Sequence, residues 1–237
     1  MGYTKITIDA GLNLLGQQFV PVGQDNKAFD LQEIIFSEDM VGFDGDDPLT
    51  SIKFWTGTGY DYGDYVTPEN AAEWTQFGPQ YAEMAGKWID GSENIIVADV
   101  EKGKGFWIQT STPSTIIFSG QVYTPTNSII TLKAGLNLVS NPFPIRWDIQ
   151  NFTSSDLVGF DGDDPLTSIK FWTGTGYDYG DYVTPENAAE WTQFGPQYAS
   201  MAGKWIDGSE NIITNYVAPG KAFWIITESP ATLHFTR

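Results

Sequence analysis

Three aspartates within four residues, Asp44, Asp46 and Asp47 of FDGDD, stand shortly before two more, Asp61 and Asp64 of YDYGDY. The same letters return as Asp161, Asp163, Asp164, Asp178 and Asp181. Carboxylates this close repel one another unless water solvates them or a hard, oxygen-seeking cation bridges them, and calcium is the cation such a set would take. The expected metal residues are then Asp44, Asp46 and Asp47, with Asp161, Asp163 and Asp164 in the second set. The D-G-D-D spacing is not that of an EF-hand loop, and an acidic loop that simply faces water is the commoner outcome of such a run.

Aromatic side chains crowd around these acids. Trp55, Tyr60 and Tyr62 flank Asp61, and Trp172, Tyr177 and Tyr179 flank Asp178. An exposed ring offers an apolar face on which a sugar stacks while nearby carboxylates accept its hydroxyls. These six residues are the expected ligand-binding set, and carbohydrate the class of ligand. The competing reading is that the rings fill the core, since alternate strand positions are buried in any case.

Other chemistries find little support. A glycosidase needs two carboxyls about 5 to 10 Å apart across a sugar cleft, and the close acids here sit on an apparent loop. Cysteine is absent and the single histidine is His234, in TLHFTR, so thiolate nucleophiles, histidine triads and histidine-rich metal sites are not expected. GTGYDYG and GKGFW do not fit a phosphate-cradling G-x-G-x-x-G, and the second becomes GKAFW at Gly220–Trp224. The expectation is a protein that is not an enzyme.

Charge narrows the partners. The 237 residues carry a formal net charge of −18, which repels phosphate backbones and anionic membrane surfaces alike. Nucleic acid is not an expected partner; cations and neutral polar ligands remain. No apolar run approaches the about 20 residues that span a bilayer. MGYTKITIDAG lacks a charged-then-apolar signal pattern, and Ile6 stands where a myristoylation signal needs Ser or Thr. Any signal peptide is therefore expected to be absent from this chain.

The elements that must position these residues come twice. Val41–Ile96 and Val158–Ile213 match over 56 positions with one difference, Glu83 against Ser200. The likeness continues more weakly on both sides: Val97–Gly120 shares ten of 24 positions with Thr214–Arg237, and Ile6–Pro21 answers Ile130–Ile145. The changing offset places seven extra residues of the first copy between Pro21 and Val41. Two tandem domains, 1–120 and 121–237, are expected. The two matched blocks hold −15 of the net charge, six of the nine Trp and eight of the eleven Tyr.

SIKFWT alternates, GTG turns, and YDYGDYV alternates again, which predicts a hairpin. Further short runs rich in β-branched and aromatic residues lie between Gly, Pro, Asn and Ser. TPENAAEW predicts a short helix capped by Thr67, with Pro68 at its first position and Gly78-Pro79 ending it. The expected class is all-β, a β-sandwich or β-barrel per copy with at most short helices. Asn151–Thr153 is a formal glycosylation sequon that carries no expectation of use.

AGLNLVSNPFP (Ala134–Pro144), IKFWTGTGY (Ile52–Tyr60) and GKGFWIQ followed by STIIFSG (Gly103–Gly120) resemble a class of secreted or surface-exposed bacterial repeat proteins. In that class a G-[WL]-N-[LM]-[VI]-S-x-P strand, an I-x-x-W-x-G-x-G-Y hairpin and a G-x-G-[FY]-W strand recur. The first copy departs from it at Gly16-Gln17-Gln18, which replace Ser140-Asn141-Pro142. The resemblance implies extracellular or cell-surface display and a non-enzymatic structural or adhesive role.

The residues between the copies are echoed by the two chain ends, ATLHFTR and MGYTKITIDAGLNL. One molecule's end could therefore meet the next as copy one meets copy two, and such a head-to-tail contact propagates into a filament or array unless it closes a ring. The partner expected first is the protein itself. The alternative is a bivalent carbohydrate-binding module, two like sites raising avidity on a repeating glycan.

Overall fold

The computed structural model describes residues 1–23, 28–36, 39–122, 125–152 and 154–236; Thr153 of the sequon lies outside them. Strands dominate. In copy one the principal elements are β1 (Gly2–Ile8), β2 (Gly11–Gly16), β3 (Thr50–Trp55), β4 (Tyr60–Val66), α1 (Pro68–Trp74), β5 (Lys87–Ile89), β6 (Gly105–Thr110) and β7 (Ser114–Val122). Copy two repeats them as β8 (Asn127–Leu132), β9 (Gly135–Ser140), β10 (Thr167–Trp172), β11 (Tyr177–Val183), α2 (Pro185–Trp191), β12 (Lys204–Ile206), β13 (Ala222–Thr227) and β14 (Ala231–Thr236). The fold is all-β, and the only other helices among the described residues are short 3₁₀ turns.

Each copy forms one five-stranded antiparallel sheet, in the order β5-β4-β3-β6-β2 and its equivalent β12-β11-β10-β13-β9. The first and last strands of each copy pair separately, β1 with β7 and β8 with β14. Each labelled strand thus takes its main ladder partners from its own copy, and the changeover falls between Val122 and Asn127. The expected boundary at Gly120/Gln121 lies inside β7, because Gln121 and Val122 extend that strand to pair with Val20 and Phe19.

The alternation read in SIKFWT is a burial pattern. Ile52 is fully buried and Phe54 packs on the same core, while Ser51, Lys53 and Trp55 lie half-buried on the opposite face. The hairpin closes with Trp55 opposite Tyr60. Its helix follows the predicted capping: the Thr67 hydroxyl accepts the Asn70 N–H at 3.2 Å. Asn70 then clasps the preceding loop, accepting the Phe43 N–H at 2.9 Å and donating to the Phe43 carbonyl at 3.1 Å. Asn187 repeats both bonds to Phe160.

The two cores share a plan and differ in filling. Copy one buries Ile8, Ile52, Trp88, Phe106, Ile116 and Phe118; copy two buries Ile169, Trp205, Phe223, Leu233 and Phe235 around Trp147 stacked on Phe152. A glutamine locks each core from one side. Gln32 Nε2 donates to the carbonyls of Trp88 and Ile96 while its Oε1 accepts the Trp88 N–H, and Gln150 does the same for Trp205 and Ile213. Pairing of Phe29 with Val100 and of Trp147 with Val217 sets the register, so that six of the seven extra residues of copy one fall between Pro21 and Phe29. The segments around them form two short strands, Phe19–Val20 and Ile35–Phe36, that flank β7; no such strand pairs with β14 among the described residues.

Candidate ligand-binding cleft at the join

The copies meet through faces that their own cores leave unused. In GLNLLG both Leu14 and Leu15 are buried, and in GFWIQT both Phe106 and Trp107. Successive strand residues point to opposite faces, so one of each pair fills its own core and the other looks outward. Leu14, Trp107, Leu138, Ala222 and Trp224 form a separate buried cluster between the copies, with Trp55 and Trp172 packed against it.

The contacts come in matched pairs. Trp55 meets Trp224 edge-on at 5.4 Å and Trp172 meets Trp107 at 5.3 Å. The Trp55 indole N–H donates to the Leu136 carbonyl at 2.9 Å, and that of Trp172 to the Leu12 carbonyl at 2.8 Å. Gly16 N–H donates to the Gly220 carbonyl, and Ser140 N–H to that of Gly103. Each surface therefore contacts the other as the other contacts it, the hallmark of an isologous interface.

A cleft of about 1100 Å³ opens along one side of this join. The hairpin supplies Trp55, Tyr60, Asp61 and Tyr62; the loop after β5 adds Asp90 and Ser92; copy two closes it with Lys133, Leu136 and Asn137. Asp90 is fixed by the N–H groups of Ser92 and Asn94, at 2.8 and 2.9 Å, in a turn that places Glu93 at φ 62°. The Asn94 N–H first, then that of Ser92, holds its carboxyl below the usual carboxylate range. Asp99 and Glu101 line the same cleft with Lys104. It combines exposed phenol rings, ionised acceptors and a side-chain amide at an open junction, groups suited to a neutral polyhydroxyl ligand.

The related position on the other side is much smaller, about 390 Å³, lined by Asp9, Leu12, Asn13, Trp172, Tyr216 and Lys221. Tyr216 takes the place of Asp99, and the Arg146 guanidinium lies 3.3 Å from its ring centroid. Burial lowers the pKa of Lys221, against an opposing pull from the Asp9 carboxylate. Asp9 stands where the open cleft has Lys133.

No protein-family model, no curated protein and no solved structure matches the chain.

The six ring residues read from the sequence divide into two kinds. Tyr60, Tyr62, Tyr177 and Tyr179 are exposed, at 43, 58, 44 and 55%. Trp55 and Trp172 are tied to the opposite copy by their indole hydrogen bonds, so each fastens the join before it offers a face to a ligand. Tyr60 and Tyr62 line the large cleft; Tyr177 and Tyr179 do not line its smaller counterpart. Asp44 sits opposite Asp47 in a two-residue hairpin turned by Gly45 at φ 62°, with Asp46 exposed beside them, and Asp161, Asp163 and Asp164 repeat the arrangement. Among the described residues no three His, Cys, Asp or Glu side chains are gathered to hold a metal. All six of these carboxylates are exposed to water.

Sequence reasoning passed over Trp107, Trp224, Leu14 and Leu138. The signal was present: adjacent large apolar residues in short strands of both copies require a buried surface on each side of the sheet.

Proposed function

We propose that the protein is a non-enzymatic, extracellular or cell-surface adhesive module, with one domain per copy, that holds carbohydrate in the cleft beside Tyr60 and Tyr62. The observation that carries this reading is that cleft: about 1100 Å³, open at the join, with exposed rings next to Asp61 and Asp90. Asp90 is kept ionised by backbone donors, which suits it to accept sugar hydroxyls and not to deliver a proton. Retention on a glycan array, weakened in the Tyr60→Ala/Tyr62→Ala variant, tests the reading. Absence of retention at high protein concentration on every glycan would sink it.

Self-assembly into a filament or array is supported by a different observation. Ile116 and Ile117 of β7 pair with Phe36 and Ile35, whereas the equivalent Leu233 and His234 of β14 pair with no strand on that edge among the described residues. Thr153, the equivalent of Ile35, lies outside the described residues; wherever such an edge has no partner strand, it is a template for strand addition by another chain. Such a contact would not repeat the join, because the strands on either side of the copy boundary are paired within their own copies. Light scattering over rising concentration, with His234→Pro as the blocked control, decides; a wild-type monomer throughout removes this reading.

A further inference from the structure

In an isologous contact, a residue near the symmetry axis faces its own equivalent. Two such positions exist here. Gly16 corresponds to Ser140, and a Cβ placed on Gly16 would fall on the Cβ and Oγ of Ser140. Gly105 corresponds to Ala222, and a Cβ on Gly105 would stand 2.7 Å from the Cβ of Ala222 and 2.8 Å from Leu138 Cγ. Both contacts are far inside van der Waals separation. At each position copy one has glycine, copy two has the larger residue, and there is room for one side chain.

We propose that these two positions are the specificity determinants of the join: they make its face accept the opposite copy and reject a face like that of copy two. Two copy-two faces would set Ser140 against Ser140 and Ala222 against Ala222, a double overlap in a close-packed surface that cannot yield without separating the tryptophans. Opposite copies interlock, with the side chain of one filling the space left by the other. The ring-and-leucine cluster beside them cannot make this distinction, since Leu14 and Leu138, Trp107 and Trp224, and Trp55 and Trp172 are identical in type. The flanks of the repeat differ in sequence where the contact requires complementary residues.

The deciding experiment is a residue exchange in the full chain, read by urea unfolding through tryptophan fluorescence. Gly16→Ser alone sets serine against serine and is expected to lower the unfolding midpoint by about 1 M or more. Gly16→Ser combined with Ser140→Gly moves the side chain to the other partner and is expected to restore the midpoint to within about 0.3 M of wild type, a coupling that independent sites do not show. Gly105→Ala and its combination with Ala222→Gly should behave in the same way. If Gly16→Ser yields no folded protein, a folded exchange variant supports the proposal. An exchange variant no more stable than the single substitution, or equally unfolded, overturns it.

Discussion

The two clefts beside the join are built on nearly the same hairpin and end up different. Trp55, Tyr60 and Tyr62 border about 1100 Å³ on one side, while the equivalent hairpin with Trp172 borders about 390 Å³ on the other. Nothing in the 56 matched positions can cause this, because their one difference, Glu83 against Ser200, lies in neither lining. The cause is in the diverged flanks. Tyr216 in place of Asp99 brings a ring into the lining of the smaller cleft, and the Arg146 guanidinium lies over that ring. A matched hairpin thus supplies the same rings twice, and the residues around it determine how open their surroundings are.

The largest effect should come from breaking what the clefts share. Trp55→Ala and Trp172→Ala each remove a ring and an indole hydrogen bond across the join, and each should cost about 3 kcal/mol in denaturant unfolding. Near-equal losses are expected, since the two bonds are alike at 2.9 and 2.8 Å; a loss confined to one variant would show the join to be one-sided. Next, Tyr60→Ala with Tyr62→Ala should weaken glycan retention about tenfold, as expected for losing stacked rings. Tyr177→Ala with Tyr179→Ala should change it less than about twofold on the same array.

A smaller effect separates the copies by pH. Burial lowers Lys102 to about 8, whereas its equivalent in copy two is Pro219. The unfolded chain then holds this proton between about pH 8 and the ordinary lysine value while the folded chain has released it, so stability rises with pH across that window. Lys102→Met should remove this rise, leaving stability level with pH across that window. Pro219→Ala should leave the pH profile unchanged. The least effect is expected of Arg146→Ala, which loses about 0.5 to 1 kcal/mol of cation–π contact. It should also enlarge the small cleft, visible as a second, weaker glycan site in titration calorimetry.

The all-β class, the Ser51–Val66 hairpin and the Thr67-capped helix were legible because each rests on local rules of alternation, turn glycines and capping that ten residues can express. The exposure of Tyr60 and Tyr62 was one of two readings that alternation left open, the other being that the rings fill the core. What escaped was the role of Trp55: alternation puts it on the outer face of its sheet, but only the second copy shows that this face is covered. The acidic loops were legible as exposed carboxylates but not as tight hairpins, because the turn in D-G-D-D rests on the left-handed backbone angle of Gly45. The part played by Gly16 and Gly105 was not legible, because it depends on the Ser140 and Ala222 side chains that stand against them.

The crossed indole hydrogen bonds have a consequence for how the molecule comes apart. Trp55 depends on the Leu136 carbonyl and Trp172 on that of Leu12, so loss of either half strips the other of a bond and bares Leu14 and Trp107, or Leu138 and Trp224, to water. Partial melting is penalised at both ends at once. The copies should therefore unfold in a single calorimetric transition, with matching van't Hoff and calorimetric enthalpies, despite having separate cores.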